Sequence, residues 1–140
     1  MLHSVISRTQ NDADHSSLIK RPAHTCRYLE YSLSSHFQPI YSVALRRPIG
    51  YEGLIRGHSQ KCAPISPVDL LSLPRTGHQM LALDRLCRTL HVQNFAPQSV
   101  NNEWLFVNLN AQSLISESPQ TGFTQQLLDA SGLSAHRLVI

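Results

Sequence analysis

Charge is scarce in this chain. Asp, Glu, Lys and Arg make up 15% of its 140 residues, against ~25% in an ordinary globular domain. Neither that share nor the 41% of hydrophobic residues suggests disorder or a membrane protein. Acids are the rarer sign, nine against twelve Lys and Arg, which leaves a formal charge of +3 and a pI near 9.0. Such an excess favours anionic partners, yet here it is dispersed. Arg46-Arg47 is the only adjacent arginine pair, and Lys20-Arg21 lies in the N-terminal stretch. No basic stripe with interleaved aromatics occurs, so the charge reads as solvated surface and no DNA or RNA partner is expected.

Other absences narrow the field further. Cys26, Cys62 and Cys87 are odd in number and far apart, and no CxxC occurs. Three reduced thiols in a cytoplasmic protein account for them most simply. No stretch approaches the ~20 apolar residues of a membrane span. Met1 to Arg8 has no basic start and no apolar core, so it is not a signal peptide. The eight histidines are scattered without HxxxH or HExxH spacing. His58 and Cys62 are four apart but fall in a loop, so no zinc site is expected. Cys87 lies on an apolar helix face and reads as core. No GxxxxGK[ST], GxGxxG or GxSxG is present.

What is present reads as one domain. Residues 1–32 are polar and aperiodic for most of their length and are expected to be a flexible leader or linker, with Tyr28 to Leu33 a short helix or turn leading in. Phe37 to Val43 predicts a strand, with Pro39 near a start or edge. Arg46-Arg47-Pro48 is a turn, and Ile49 to Arg56 is a second strand placed to pair antiparallel with the first. Ser66-Pro67-Val68-Asp69 is a helix start: Ser66 caps, Pro67 suits the first helical position, and Asp69 occupies the capping-box site. Pro74 ends that helix. A longer one begins around Gly77 and carries Leu83, Leu86, Cys87 and Leu90 on one face until Phe95-Ala96-Pro97. Asp84 flanks that face and reads as a polar helix residue. Trp104 to Leu109 is apolar on both faces, the pattern of a strand buried on both sides. Phe123 to Ala130 is helical and ends at Gly132. Arg137 to Ile140 begins a further strand. Strands alternating with helices imply an α/β fold with a largely parallel sheet.

Three segments carry chemistry. In Tyr51-Glu52-Gly53-Leu54-Ile55-Arg56, alternate residues of a strand share a face, so Glu52, Leu54 and Arg56 point one way. A carboxylate suits a hard divalent cation, and a guanidinium fork suits phosphate oxygens. An internal ion pair or a half-exposed strand face would leave the same pattern. Asn108 interrupts an apolar strand. Its amide must find partners, either backbone groups or a metal. Gln38 is the polar residue at the mouth of the first strand and by itself signifies little.

Taken in order, these segments resemble the EAL family. Phe37-Gln38-Pro39-Ile40, Gly50 to Arg56, Ser66-Pro67, Leu83-Asp84, Phe106-Val107-Asn108-Leu109, Gly132-Leu133 and Arg137 to Ile140 follow its order and spacing over residues 33–140. The resemblance implies a modified TIM-like (β/α) barrel that begins with an antiparallel hairpin, present here as its N-terminal portion and truncated before barrel closure. It implies metal-dependent hydrolysis of cyclic di-GMP to linear pGpG. Glu52 and Asn108 would be catalytic metal ligands for Mg2+ or Mn2+. Arg56 would hold a substrate phosphate, Gln38 would touch a guanine, and Leu54 would line the nucleotide site.

Departures accompany the likeness. Gly53 stands where Ala is usual, facing away from Glu52. Asn110 stands where Ser is usual. The family's next metal Glu follows directly after a strand like Leu138-Val139-Ile140, and later site residues have no counterpart. A TIM barrel needs ~250 residues. Three readings therefore stay open: a phosphodiesterase inactive in this form, a degenerate module that binds cyclic di-GMP or regulates a partner protein, and a non-functional remnant. An open sheet edge would also admit a homodimer.

Overall fold

The computed structural model describes residues 24–99, 102–111, 113 and 122–140. The first 23 residues of the expected leader lie outside them. Residues 25–32, assigned by sequence to that leader, carry strand β1 (Thr25–Tyr28), a two-residue turn and the start of β2 (Tyr31–Ser42). The short helix or turn expected from Tyr28 to Leu33 is thus an antiparallel pairing of Thr25–Tyr28 with Tyr31–Ser34. Its cause is burial: Leu33 is fully buried, and Cys26, Tyr28 and Tyr31 pack around the same core cluster.

β2 continues into the expected hairpin with β3 (Arg47–His58), interrupted by one register shift at Ile40/Tyr41. β3 then pairs with the short β4 (Pro64–Ile65). Helix α1 (Pro67–Leu71) begins as its sequence requires: the Asp69 backbone N–H donates to Ser66 Oγ at 3.1 Å, and Ser66 Oγ donates to the Asp69 carboxylate at 2.7 Å. Helix α2 (Gly77–Phe95) is capped by Thr76, whose Oγ1 accepts from the Gln79 N–H. β5 (Trp104–Val107) adds to β3 in parallel, and helix α3 (Phe123–Ser131) ends at Gly132 with φ 71°, the left-handed stop that glycine permits. β6 (Leu138–Val139) joins β5 in parallel. The sheet order β1-β2-β3-β5-β6, with β4 beside β3, is an open, curled half-barrel.

The helices pack on one face. Tyr51, Gly53, Ile55 and Gly57 of β3 point toward them, as do Leu105 and Val107 of β5. Two adjoining clusters result, one around Phe95, Val92 and Leu105, the other around Leu33, Leu70, Leu83 and Leu90. β5 was expected to be covered on both sides. Instead Leu105 is fully buried while Trp104 on the opposite face is 45% exposed. Its apolar alternation serves the helices on one side and the open face on the other. Among the described residues no helix is long and apolar enough to cross a membrane.

Two polar groups inside this core tie strands to α2. Asn94, 1% exposed, accepts from the His24 backbone N–H and donates to the His24 carbonyl, both at 2.9 Å. Its amide thus braces the start of β1. His91 is also buried, and its Nδ1 lies 2.8 Å from Ser35 Oγ on β2. Burial pushes the imidazole down from 6.5 to about 4, because the interior disfavours its charged form. An unfolded chain would take up that proton near pH 6.5. The neutral ring's contribution is therefore complete above pH 6.5 and is lost as pH falls toward 4, by about 3 kcal/mol in all. Denaturant unfolding between pH 7 and 4 should show this loss, and His91→Gln should remove it. Equal slopes in the two proteins would contradict the assignment.

Candidate functional site

The candidate residues meet because strand register places them level with one another. Gln38 lies opposite Glu52 in the β2–β3 pair, and Phe106 lies opposite Glu52 in the β3–β5 pair. Asn108 follows two residues after Phe106, on the same face. Its Nδ2 donates to Glu52 Oε1 at 2.6 Å. The two proposed metal ligands are therefore in contact, although 56 residues separate them. Leu54 and Arg56 continue the row along β3, half-buried, and Gln38 is exposed on the same open face. All five residues singled out in the sequence lie on this face, toward the carboxyl ends of the parallel strands. That is where (β/α) barrels place their sites.

Beside this row a cavity of about 300 Å³ opens between β3, the two helices and the segment after β5. Leu54, Arg56, Asn108, Asp84, Pro67 and Cys87 are among its walls. It is mostly apolar with a few convergent polar groups, the usual make-up of a small-molecule site. Burial pushes the Cys87 thiol up to about 12, so it is a packing group and not a nucleophile.

Sequence reasoning missed the layer beneath. Asp84 is buried and pairs with Arg88 at 2.9 Å. Its Oδ1 accepts from the Asn110 backbone N–H at 3.2 Å, which holds the segment just past Asn108. Arg88 donates to Thr124 Oγ1 at 2.6 Å and lies with Arg85 over the Phe123 ring. A relay of side chains thus runs from α3 through α2 to the end of β5. The i,i+4 spacing of Asp84 and Arg88 was the available signal. Its burial was not legible.

Gly53 also finds its reason here. A Cβ at this position would lie 2.8 Å from His91 Cγ and 3.0 Å from Nδ1. The imidazole of α2 fills the space an alanine methyl would need.

Glu52 and Asn108 offer oxygen donors of the kind hard divalent cations take. Asn108 would have to turn its amide, an orientation set by the hydrogen-bond network. Two donors fit such an ion in chemistry but are few for one that takes six or more ligands. Among the described residues, no group of three His, Cys, Asp or Glu could hold a metal.

The fold is thus a half-barrel of parallel and antiparallel strands with an acid–amide pair and an arginine on its open face. The EAL domain profile matches residues 28–140, and the chain belongs to the EAL family. No curated protein sequence matches it. Among solved structures it is similar to Klebsiella pneumoniae BlrP1 with FMN and cyclic diGMP, at 21% identity and TM-score 0.62 over 76% of this chain and 27% of that one. The manganese/cyclic diGMP complex of BlrP1 at pH 6 matches at 20% identity and TM-score 0.62, over 84% and 29%. A standalone EAL protein from Vibrio cholerae O395 in its c-di-GMP-bound form matches at 16% identity and TM-score 0.63, over 79% and 44%. The chain thus spans less than half of each of these relatives.

Two substitutions test the supporting layer. Gly53→Ala should destabilise the fold by about 1–3 kcal/mol through overpacking, and His91→Ala in the same chain should recover part of that loss in thermal melts. Additive losses would show that the two positions are not coupled. Asp84→Ala should cost about 3–5 kcal/mol, because it removes the carboxylate that faces the buried Arg88 guanidinium. A cost under 1 kcal/mol in denaturant unfolding would refute that role.

Proposed function

We propose that this chain supplies the first part of a metal-dependent cyclic di-GMP phosphodiesterase site. The observation that supports this best is the Glu52–Asn108 contact at 2.6 Å, with Leu54, Arg56 and Gln38 on the same open face. Glu52 and Asn108 would hold Mg2+ or Mn2+. Arg56 would bind a phosphate oxygen with its planar fork. Leu54 would line the nucleotide's path, and Gln38 would offer both a donor and an acceptor to a guanine edge. When bound, a divalent cation supplies charge neutralisation and an activated water for in-line attack on phosphorus. Asp84, through Asn110, would keep Asn108 aimed at Glu52.

A second reading rests on the donor count. With two metal donors in the described residues, residues 1–140 would bind the cyclic dinucleotide without cleaving it. Calorimetry with cyclic di-GMP and Mn2+ separates the outcomes. Binding weakened at least ~10-fold by Arg56→Ala, a loss of about 1.4 kcal/mol or more, with no pGpG formed, is expected of residues 1–140 alone. Turnover abolished by Glu52→Ala would make this polypeptide a competent enzyme by itself. Absence of any binding would reject the nucleotide reading for these residues.

A further inference from the structure

The open face carries more basic side chains than the family-matched residues account for. Beyond Glu52 the strand pairing places His36 opposite Leu54, Ser34 opposite Arg56 and Ser32 opposite His58. On β1, Thr25 lies opposite Ser34 and Arg27 opposite Ser32. The alternate residues Leu33 and Ser35 are buried against the helices, so these side chains all share the open face. Four groups that are or can become cations, Arg27, His36, Arg56 and His58, thus stand on three adjacent strands, with the hydroxyls of Thr25, Ser32 and Ser34 between them. Neighbouring strands lie about 4.8 Å apart and alternate residues about 6.8 Å apart, so one phosphate group can touch several of these side chains.

Among the described residues no ion pair involves these four groups. The acid on this face, Glu52, receives the Asn108 amide on its β5 side. Arg56 Nη1 donates to the carbonyl of Ile55 at 2.9 Å. The ion pair between described residues is Asp84–Arg88, on α2 and behind the sheet. Arg56 and His58 are close enough to His36 to lower its proton affinity, after the larger effect of burial.

We propose that Arg56, His36 and His58, with the Ser34 hydroxyl, form a phosphate subsite separate from the Glu52–Asn108 pair, and that Arg27 and Ser32 extend it to the sheet edge. Its ligand is a phosphate group of a nucleotide. It rests on the nucleotide reading above only for the name of that nucleotide: a cyclic dinucleotide has two phosphates, and this subsite takes the one remote from Glu52 and Asn108. His36 and His58 are then specificity residues, favouring ligands with a second phosphate over those with one.

Histidine ring NMR on residues 1–140, in a phosphate-free buffer, tests this directly with inorganic phosphate as probe. The His36 and His58 ring signals should shift saturably as phosphate is added, since a bound anion favours the imidazolium. The exposed His136, outside the subsite, should stay unchanged. Arg56→Gln should abolish the response, and His36→Gln with His58→Gln should weaken phosphate binding at least ~3-fold, about 0.65 kcal/mol. Silent histidines at tens of millimolar phosphate, or equal shifts at His136, would overturn the subsite. Calorimetry then separates the two claims. Phosphate binding without cyclic di-GMP binding leaves the subsite standing and removes the nucleotide reading. Cyclic di-GMP binding unaltered by the double histidine variant does the reverse.

Discussion

The seating of α2 on β3 is the contact from which the rest of the molecule takes its geometry. Gly53 has no side chain, and the His91 ring occupies that space, within 2.8 Å of where a Cβ would stand. The same ring bonds Ser35 on β2. One helix residue therefore sets the distance of two strands from the helix layer. β3 in turn pairs antiparallel with β2 and parallel with β5. Because side chains alternate along a strand, fixing Gly53 toward the helices fixes Glu52, Leu54 and Arg56 toward the open face.

A polar layer under the site follows from the same packing. α2 offers the strands a face that is not simply apolar: Asp84, Arg88, His91 and Asn94 are all buried. Each meets a defined partner: Asn110 and Arg88 for Asp84, Thr124 for Arg88, Ser35 for His91, and the backbone of His24 for Asn94. Buried polar groups with fixed partners specify register more sharply than apolar contacts do, because a slipped register leaves them unpaired. Here they link the start of β1, the middle of β2 and the end of β5 to one helix.

The open face divides into regions of different chemistry. Near the β5 side, the Trp104 and Phe106 rings meet at a tilt with centroids 6.2 Å apart. Level with Glu52 an acid and an amide meet. Toward β1 the face becomes cationic and hydroxyl-lined.

Much of this was legible in the chain. The hairpin, the Ser66 cap, the long helix from Gly77 and the strand around Phe106 rest on local signals: alternation, a capping residue, helical spacing. The shared face of Glu52, Leu54 and Arg56 follows from strand alternation alone. The roles attached to Gln38, Glu52, Leu54, Arg56 and Asn108 came with a resemblance carried by ordered motifs. Only the tertiary structure decided which partners those side chains meet. That Asn108 reaches Glu52 depends on a parallel pairing across 56 residues, and no local pattern sets a pairing of that span. That Asp84 is a buried strut, that Tyr28 to Leu33 is a strand turn and that Gly53 yields its space to His91 are likewise matters of long-range packing. Sequence determines which face a residue shares with its strand neighbours; the fold determines what lies opposite that face.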